Sequence, residues 1–497
     1  MVIRFSAFHQ TLRAGQFPIR FVDRLNSNYG YPVLNFLYPL PFYLAEIPKA
    51  AGLNFADSIK FVFAASTIFS SIAMFWALSQ RFSQAASFAA SVVYLFIPYR
   101  FVDLYVRGSL GESLAFAVVP LCLGAIFKIA SGKKIYYPLL SLSLALLIIS
   151  HNVMAVLFLP IFFIVSVALV KKDKVYLLGA FLLGILMASF FAVPALFDLK
   201  LVKLSTIKVG NPLDHLSSLK DLIIPKWGYG PTPGGNNPLP TQIGIVPLFI
   251  AVAALLLQIS KKGKDHIVKL FLITFILVIF LMSKLSAFFW ANFPFSDLIQ
   301  FPWRLLSLIA LISAYLTAYV VDESKNKKIL VIIIVVASIL ATILYIKPKA
   351  VTYNDDGFYS TNEGTTTVRD EYLPLWVKQQ KPTRANTKIE LPQNAQIQNL
   401  SIRPTLYSAT INSPSDANIQ VNSIYFPGWI VTVDNKKTPI NVLDDFGLIN
   451  FQLPAGKHEV IIKYTESPVA TAADIVSIVA VLITGFSFYK LWANKKS

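Results

Sequence analysis

The chain has 497 residues, 55% hydrophobic and 14% charged, with a formal net charge of +18. Soluble domains hold roughly 25% charged residues, so this composition argues against a soluble globular fold and for a polytopic membrane protein. No basic–aromatic soluble module accompanies the charge, which argues against nucleic-acid binding and assigns the lysines and arginines to topogenic loops and anionic head groups.

In chain order, apolar runs predict helices near 57–79, 85–98, 113–130, 135–150, 153–170, 175–197, 241–259, 267–283, 305–321, 328–346 and 470–491. Cys122, the single cysteine, lies inside one of these runs and forms neither an intrachain disulfide nor a cysteine zinc cluster. Every second connection is basic: Arg81; Lys133 and Lys134; Lys171, Lys172 and Lys174; Lys261, Lys262 and Lys264; Lys325, Lys327 and Lys328. Lys490, Lys495 and Lys496 close the C-terminus. The positive-inside rule makes these cytoplasmic and the alternate connections extracytoplasmic. The expected location is therefore the plasma membrane, multi-pass, with the C-terminus in the cytoplasm. About eleven spans then put residues 1–56 outside without a preceding signal, so a first helix is expected to be missing. The alternative is that helix 57–79 translocates a short N-terminal tail unaided.

Residues 347–469 change character, with Pro, Asn, Thr and Asp rising and period-2 alternation appearing. "SATINS", "IQVNSIYF", "WIVTVDNKKTPINV" and "GLINFQLPAGKHEVIIKY" predict the strands of a small β-sandwich. Hairpin turns are expected at Asp434-Asn435-Lys436-Lys437 and at Pro454-Ala455-Gly456-Lys457. The fold class is thus an α-helical polytopic membrane protein with a small extracytoplasmic β-sandwich near the C-terminus. Its parts are a first loop 1–56, a transmembrane core 57–346, a β-rich domain 347–469, and a last helix with tail 470–497.

Chemistry-bearing residues concentrate in "FVDLYVRGSLGESLAF", residues 101–116, where Asp103, Arg107 and Glu112 fall within ten positions. Ionisable groups at the membrane are costly unless they face water, a partner or a ligand. Arg107 suits a bidentate grip on a phosphate. The plainer readings are an Asp103–Arg107 pair at i, i+4, a helix-start role for Glu112, and an interfacial Tyr105. A second group, Gln300, Trp303 and Arg304, enters a helix from "FSDLIQFPWRLLS", with a snorkelling Arg304 as the plainer reading. The N-terminal segment offers Arg13, Arg20, Asp23 and Arg24 among aromatics and prolines. His151 sits in a tight turn, and the five histidines show no metal-ligand spacing. "KWGYGPTPGGNNPLPTQIG" lacks the context of a phosphate loop.

The segments "LRAGQFPIRF…NYGYPVLNFLYPLPFYL", "PYRFVDLYVRGSLGESLAF", "SHN", "WGYGPTPGG", "QFPWRLLS" and "FPGWIVTVDNKKTPI…LPAGKHEV" occur in this order. Together they resemble bacterial membrane proteins related to the GT-C glycosyltransferases, among them a group labelled 6-pyruvoyl-tetrahydropterin synthase-related, although no pterin chemistry is visible. The resemblance implies transfer of a sugar from a polyprenyl-phosphate carrier to an extracytoplasmic glycan or protein acceptor, with a divalent cation as a possible cofactor. It implies a catalytic carboxylate shortly before Arg4, where Met1-Val2-Ile3 stand. The positions it carries over are Arg20, Arg107, Gln300 and Arg304 for substrate, with Asp103 and Glu112 as weaker catalytic candidates. The alternative is a non-catalytic protein that binds or transports lipid-linked glycans.

Overall fold

The computed structural model describes residues 1–260, 265–294 and 296–494. Lys261, Lys262, Lys264, Lys495 and Lys496 of the basic connections, and Phe295 at the head of the 295–307 stretch, lie outside them.

The longer helices are α1 (Val2–Arg13), α2 (Leu40–Ala50), α3 (Phe55–Leu78), α4 (Gln84–Leu95), α5 (Leu110–Ala130), α6 (Tyr137–Ser150) and α7 (Asn152–Leu169). They continue with α8 (Lys174–Met187), α9 (Ser189–Phe197), α10 (Ile245–Ser260), α11 (His266–Met282), α12 (Leu306–Glu323), α13 (Lys327–Thr342) and α14 (Pro468–Ala493). Among the described residues six helical stretches are long and apolar enough to cross a membrane, or eight if two bent pairs each cross once. This is fewer than the eleven expected. The apolar stretches 134–150, 245–260 and 266–282 fall short. At 1.5 Å per residue, the 16-residue α10 reaches about 24 Å, below the roughly 30 Å hydrocarbon core. The helix expected over 85–98 breaks earlier. Ile97, which precedes Pro98, takes extended backbone at ψ 138°, as the proline ring demands of its neighbour.

The chain divides into two compact units: residues 1–59, 189–209 and 354–477, and residues 60–188, 210–353 and 478–497. The first unit holds eight strands: β1 (Ile389–Glu390), β2 (Gln396–Arg403), β3 (Leu406–Ser413), β4 (Ala417–Ile424), β5 (Trp429–Val433), β6 (Lys436–Thr438), β7 (Leu448–Leu453) and β8 (Gly456–Tyr464). They form a three-stranded sheet β1-β4-β7 and a five-stranded sheet β2-β3-β8-β5-β6. Ile419, Val421, Ile449 and Phe451 from one sheet share a core with Tyr407, Ile411, Val431 and Ile462 from the other. Phe21 and Phe36 of the N-terminal segment, and Val202, belong to that same core. Residues 1–56 therefore fold with the β-rich region rather than as a loop of their own.

The β5–β6 hairpin turns on Asp434 and Asn435 at φ 47° and 63°. Two consecutive left-handed residues make the turn that matches strand twist, and Asp and Asn tolerate it best. The turn at 454–457 is not a hairpin. β7 and β8 lie in different sheets, so it carries the chain from one layer to the other.

In the second unit α12 packs on α4 and α10, and α5 packs on α6 and α7. α5 and α12 are buried nearly all round, whereas α13 exposes most of its apolar surface. Phe249, Ile273 and Ile332 are 69%, 65% and 63% exposed on α10, α11 and α13. Apolar faces of this extent are consistent with a membrane protein.

Candidate functional site

The stretch 99–112, expected as a connection, is helical. Pro98–Phe101 forms an α-turn and Val102–Arg107 continues as a π-helix, a widened turn frequent at functional sites. Gly108 closes it at φ 59°, ψ 40°, left-handed backbone that costs a residue with a β-carbon roughly 1–2 kcal/mol. α5 then begins, with Glu112 in its first turn.

This geometry folds Arg107 back onto Glu112. Arg107 Nη1 donates to Glu112 Oε2 at 2.8 Å, and Nη2 donates to Oε1 at 2.7 Å. Nη1 also reaches Asp103 Oδ1 at 2.5 Å and the Tyr99 hydroxyl at 3.1 Å. That hydroxyl donates to Glu112 Oε2 at 2.7 Å. The Trp303 ring supports the guanidinium, its centroid 4.2 Å from Cζ. Arg304 Nε lies 3.5 Å from Glu112 Oε1. Its Nη1 donates to Gln300 Oε1 and to the Ile299 carbonyl, each at 3.0 Å. The i, i+4 pair and the helix-start glutamate expected as plainer readings are thus both present, as parts of one network. Asp103 and Glu112 are 1% and 0% exposed.

Residues that the sequence reading gave no role complete the site. His151 is the N-cap of α7, and its Nδ1 accepts the Met154 N–H at 3.3 Å. Burial lowers its pKa to about 3, against the opposing pull of Glu112, so the ring is neutral. Nε2 then faces Glu112 Oε1 at 3.6 Å, beyond hydrogen-bond reach and without charge. Arg100, 1% exposed, lies 5.1 Å from the Tyr94 ring centroid and 4.6 Å from that of Phe116. Its Nη1 and Nη2, and Asp103 Oδ2, are buried and have no hydrogen-bond partner. An arginine inside an apolar run was the available signal for Arg100. Nothing local marked Trp303 as the ring beneath Arg107.

Three guanidiniums, Arg100, Arg107 and Arg304, accompany two carboxylates, so with all five ionised one positive charge is left over. Glu112 lies in the first turn of α5, His151 caps α7 and Arg304 stands just before α12, so side chains from three helix N-termini meet at Glu112. Each adds partial positive charge and favours an anion there. From the network α5 leads to Lys133 and Lys134, α7 to Lys171 and Lys172, and α12 to Lys325, Lys327 and Lys328. The network and these lysines therefore lie at opposite ends of the same three helices.

The remaining candidates stand elsewhere. Arg20 belongs to the first unit, where it is held by Glu466 at 2.6 Å and Asp474 at 3.0 Å. Tyr105 stacks on Phe101. A cavity of about 850 Å³ opens at the lysine-bearing end of the second unit, lined by Arg81, Lys171, Asp265, His266 and Asp322 among others. It contains none of the network residues, and mixed charge at helix ends is less specific than a closed network, so the network is the stronger site. Among the described residues no three His, Cys, Asp or Glu side chains gather as a metal site. Comparison with family models, with curated proteins and with solved structures brings no match.

Proposed function

We propose that the chain is an integral membrane glycosyltransferase of the GT-C kind, crossing the membrane several times with the lysine-bearing ends in the cytoplasm. It takes a sugar from a polyprenyl-phosphate carrier and hands it to an extracytoplasmic glycan or protein. One observation carries this reading: a buried network with an excess guanidinium, built by side chains from three helix N-termini. Ionisable groups at such a place are functional by default, because burying them has a cost that packing alone does not repay. The excess charge and helix ends suit a phosphate.

Each residue then takes a role. Arg304 and Arg107 stabilise the departing lipid phosphate. Glu112 and Trp303 hold Arg107 flat and charged. Asp103 Oδ2, buried and unbonded, accepts the proton of the acceptor hydroxyl as its oxygen bonds the anomeric carbon. The carbon–phosphate oxygen bond breaks in the same displacement, and the anomeric centre inverts.

The test is transfer of label from polyprenyl-phosphate sugars by the full-length protein in lipid nanodiscs. Asp103→Asn is expected to reduce turnover by about 10²-fold or more while retaining donor binding. A folded protein that binds donor and never transfers it would favour the second reading, a lipid-linked glycan binder or transporter. The observation on that side is that Glu112 already occupies the bidentate fork of Arg107.

A further inference from the structure

β1, β4 and β7 turn Ile389, Ile419, Val421, Ile449 and Phe451 into the shared core. The strand period of two puts Glu390, Asn418, Gln420, Asn450 and Gln452 on the opposite face. Register sets them in rows. Glu390 pairs with Gln420, Gln420 with Asn450, and Asn450 with Asn441 through an isolated bridge. Asn418 pairs with Gln452 two positions along. Neighbours across such a row stand about 4.8 Å apart, so the four span about 14 Å. Their side chains are already linked. Gln420 Nε2 donates to Glu390 Oε2 at 3.0 Å, and Asn418 Nδ2 donates to Asn450 Oδ1 at 3.1 Å.

A polar outer face is ordinary for an antiparallel sheet, so composition has to decide. The chain has 44 lysines and arginines, and the five-stranded sheet carries its share, with Arg403, Lys436, Lys437, Lys457 and Lys463. β1, β4 and β7 carry none. In place of long cations this face presents short carboxamides, each offering two donors and an acceptor in a fixed plane. Glu390, Asn418, Asn441 and Gln452 are exposed, whereas Asn450 is 2% exposed. The row is thus anchored in its middle and open at its ends. Its strands carry no cations for an anionic polymer, and Leu448, the apolar side chain that shares this face, is buried and out of reach of a greasy peptide.

We infer that this face binds a neutral glycan, laid across the exposed Glu390, Asn418, Asn441 and Gln452 and the half-buried Gln420, with buried Asn450 holding them in place. Carboxamides bridge neighbouring sugar hydroxyls, and Glu390 accepts from them. The site is complete within the three-stranded sheet and its flanking bridge, and it stands apart from any transfer reaction.

The experiment is glycan binding to the full-length protein in lipid nanodiscs free of glycoside detergent. Dextran, mannan and laminarin serve as neutral probes and heparin as the anionic competitor, and no lipid-linked donor is present. At least one neutral polymer is expected to bind without displacement by heparin. Asn418→Ala with Gln452→Ala removes two exposed hydrogen-bonding groups and should weaken that binding about tenfold at an unchanged melting midpoint. If the double variant loses stability, Gln452→Ser alone replaces it, with a smaller loss expected. Lys436→Ala, on the other sheet, should leave binding as it was. The inference is overturned if none of the three polymers binds, if heparin displaces them, or if the carboxamide variants bind like wild type. Failure of sugar transfer would leave it untouched.

Discussion

Arg107 and Glu112 share two parallel hydrogen bonds of 2.8 and 2.7 Å, and the four residues between the partners begin with Gly108, whose left-handed backbone ends the π-helical segment. A turn in the main chain thus sets a charge pair on which Tyr99, Asp103, Trp303 and Arg304 all depend.

Removing one partner leaves the other charge buried. Glu112→Gln is expected to destabilise the protein by about 3–5 kcal/mol. Adding Arg107→Gln should recover part of that loss. Unfolding of both variants in nanodiscs checks this, and a double variant no more stable than Glu112→Gln would refute the pairing.

Gly108→Ala keeps every side chain of the network but strains its turn. The expected loss is roughly 1–2 kcal/mol. Gly108→Asn should lose less, because Asn accepts left-handed backbone more readily. An alanine variant as stable as wild type would mean that the turn relaxes without the network.

Asp23 in the first unit is 7% exposed and bonded by Lys388 Nζ at 2.9 Å and by the Tyr407 hydroxyl. Lys388→Met leaves a buried carboxylate without its cation, and a loss of about 3–5 kcal/mol is expected. Tyr407→Phe removes a single hydroxyl and should cost about 1–3 kcal/mol. Both are read from thermal or denaturant unfolding, and the methionine variant should be the worse of the two.

His458 and Asp434 form an exposed pair at 2.6 Å. The hydrogen bond to Asp434 raises the pKa of His458, and the same bond lowers that of Asp434. A raised histidine contributes stability below its unfolded pKa and loses it as pH rises through the folded value. The aspartate contributes above its unfolded pKa and loses it as pH falls. Wild type minus His458→Gln should therefore differ most near pH 5 and less as pH rises beyond the ordinary histidine value of about 6.5. A difference constant across that range would refute it.

Much of this was legible in the sequence because the physics was local. Period-2 alternation found β3, β4, β5 and β8, and Asp434-Asn435 specified its hairpin by backbone preference alone. The ten residues holding Asp103, Arg107 and Glu112 declared a polar site by contrast with their surroundings. What stayed hidden depended on distant partners. A Pro-Ala-Gly-Lys turn reads the same whether its strands pair or part between sheets. Nothing near Arg20 announced the ion pairs it makes with Glu466 and Asp474, more than 440 residues on. Apolar runs marked where helices form but not whether each reaches across a bilayer, since α10 and α11 are apolar enough and too short.

Phe21 meets Trp429 edge-on at 5.4 Å, and the two stand 408 positions apart in the chain. At roughly 5–20 residues per second, synthesis takes on the order of 20–80 s to supply the second ring after the first. β8, which pairs with both β3 and β5, arrives later still. The first unit therefore closes late in synthesis, and Phe21 waits for Trp429 and Tyr464 while the apolar helices between them are made. A chain stalled before Trp429 would carry Phe21 without either ring, so an incomplete C-terminal region leaves its mark near the beginning of the chain.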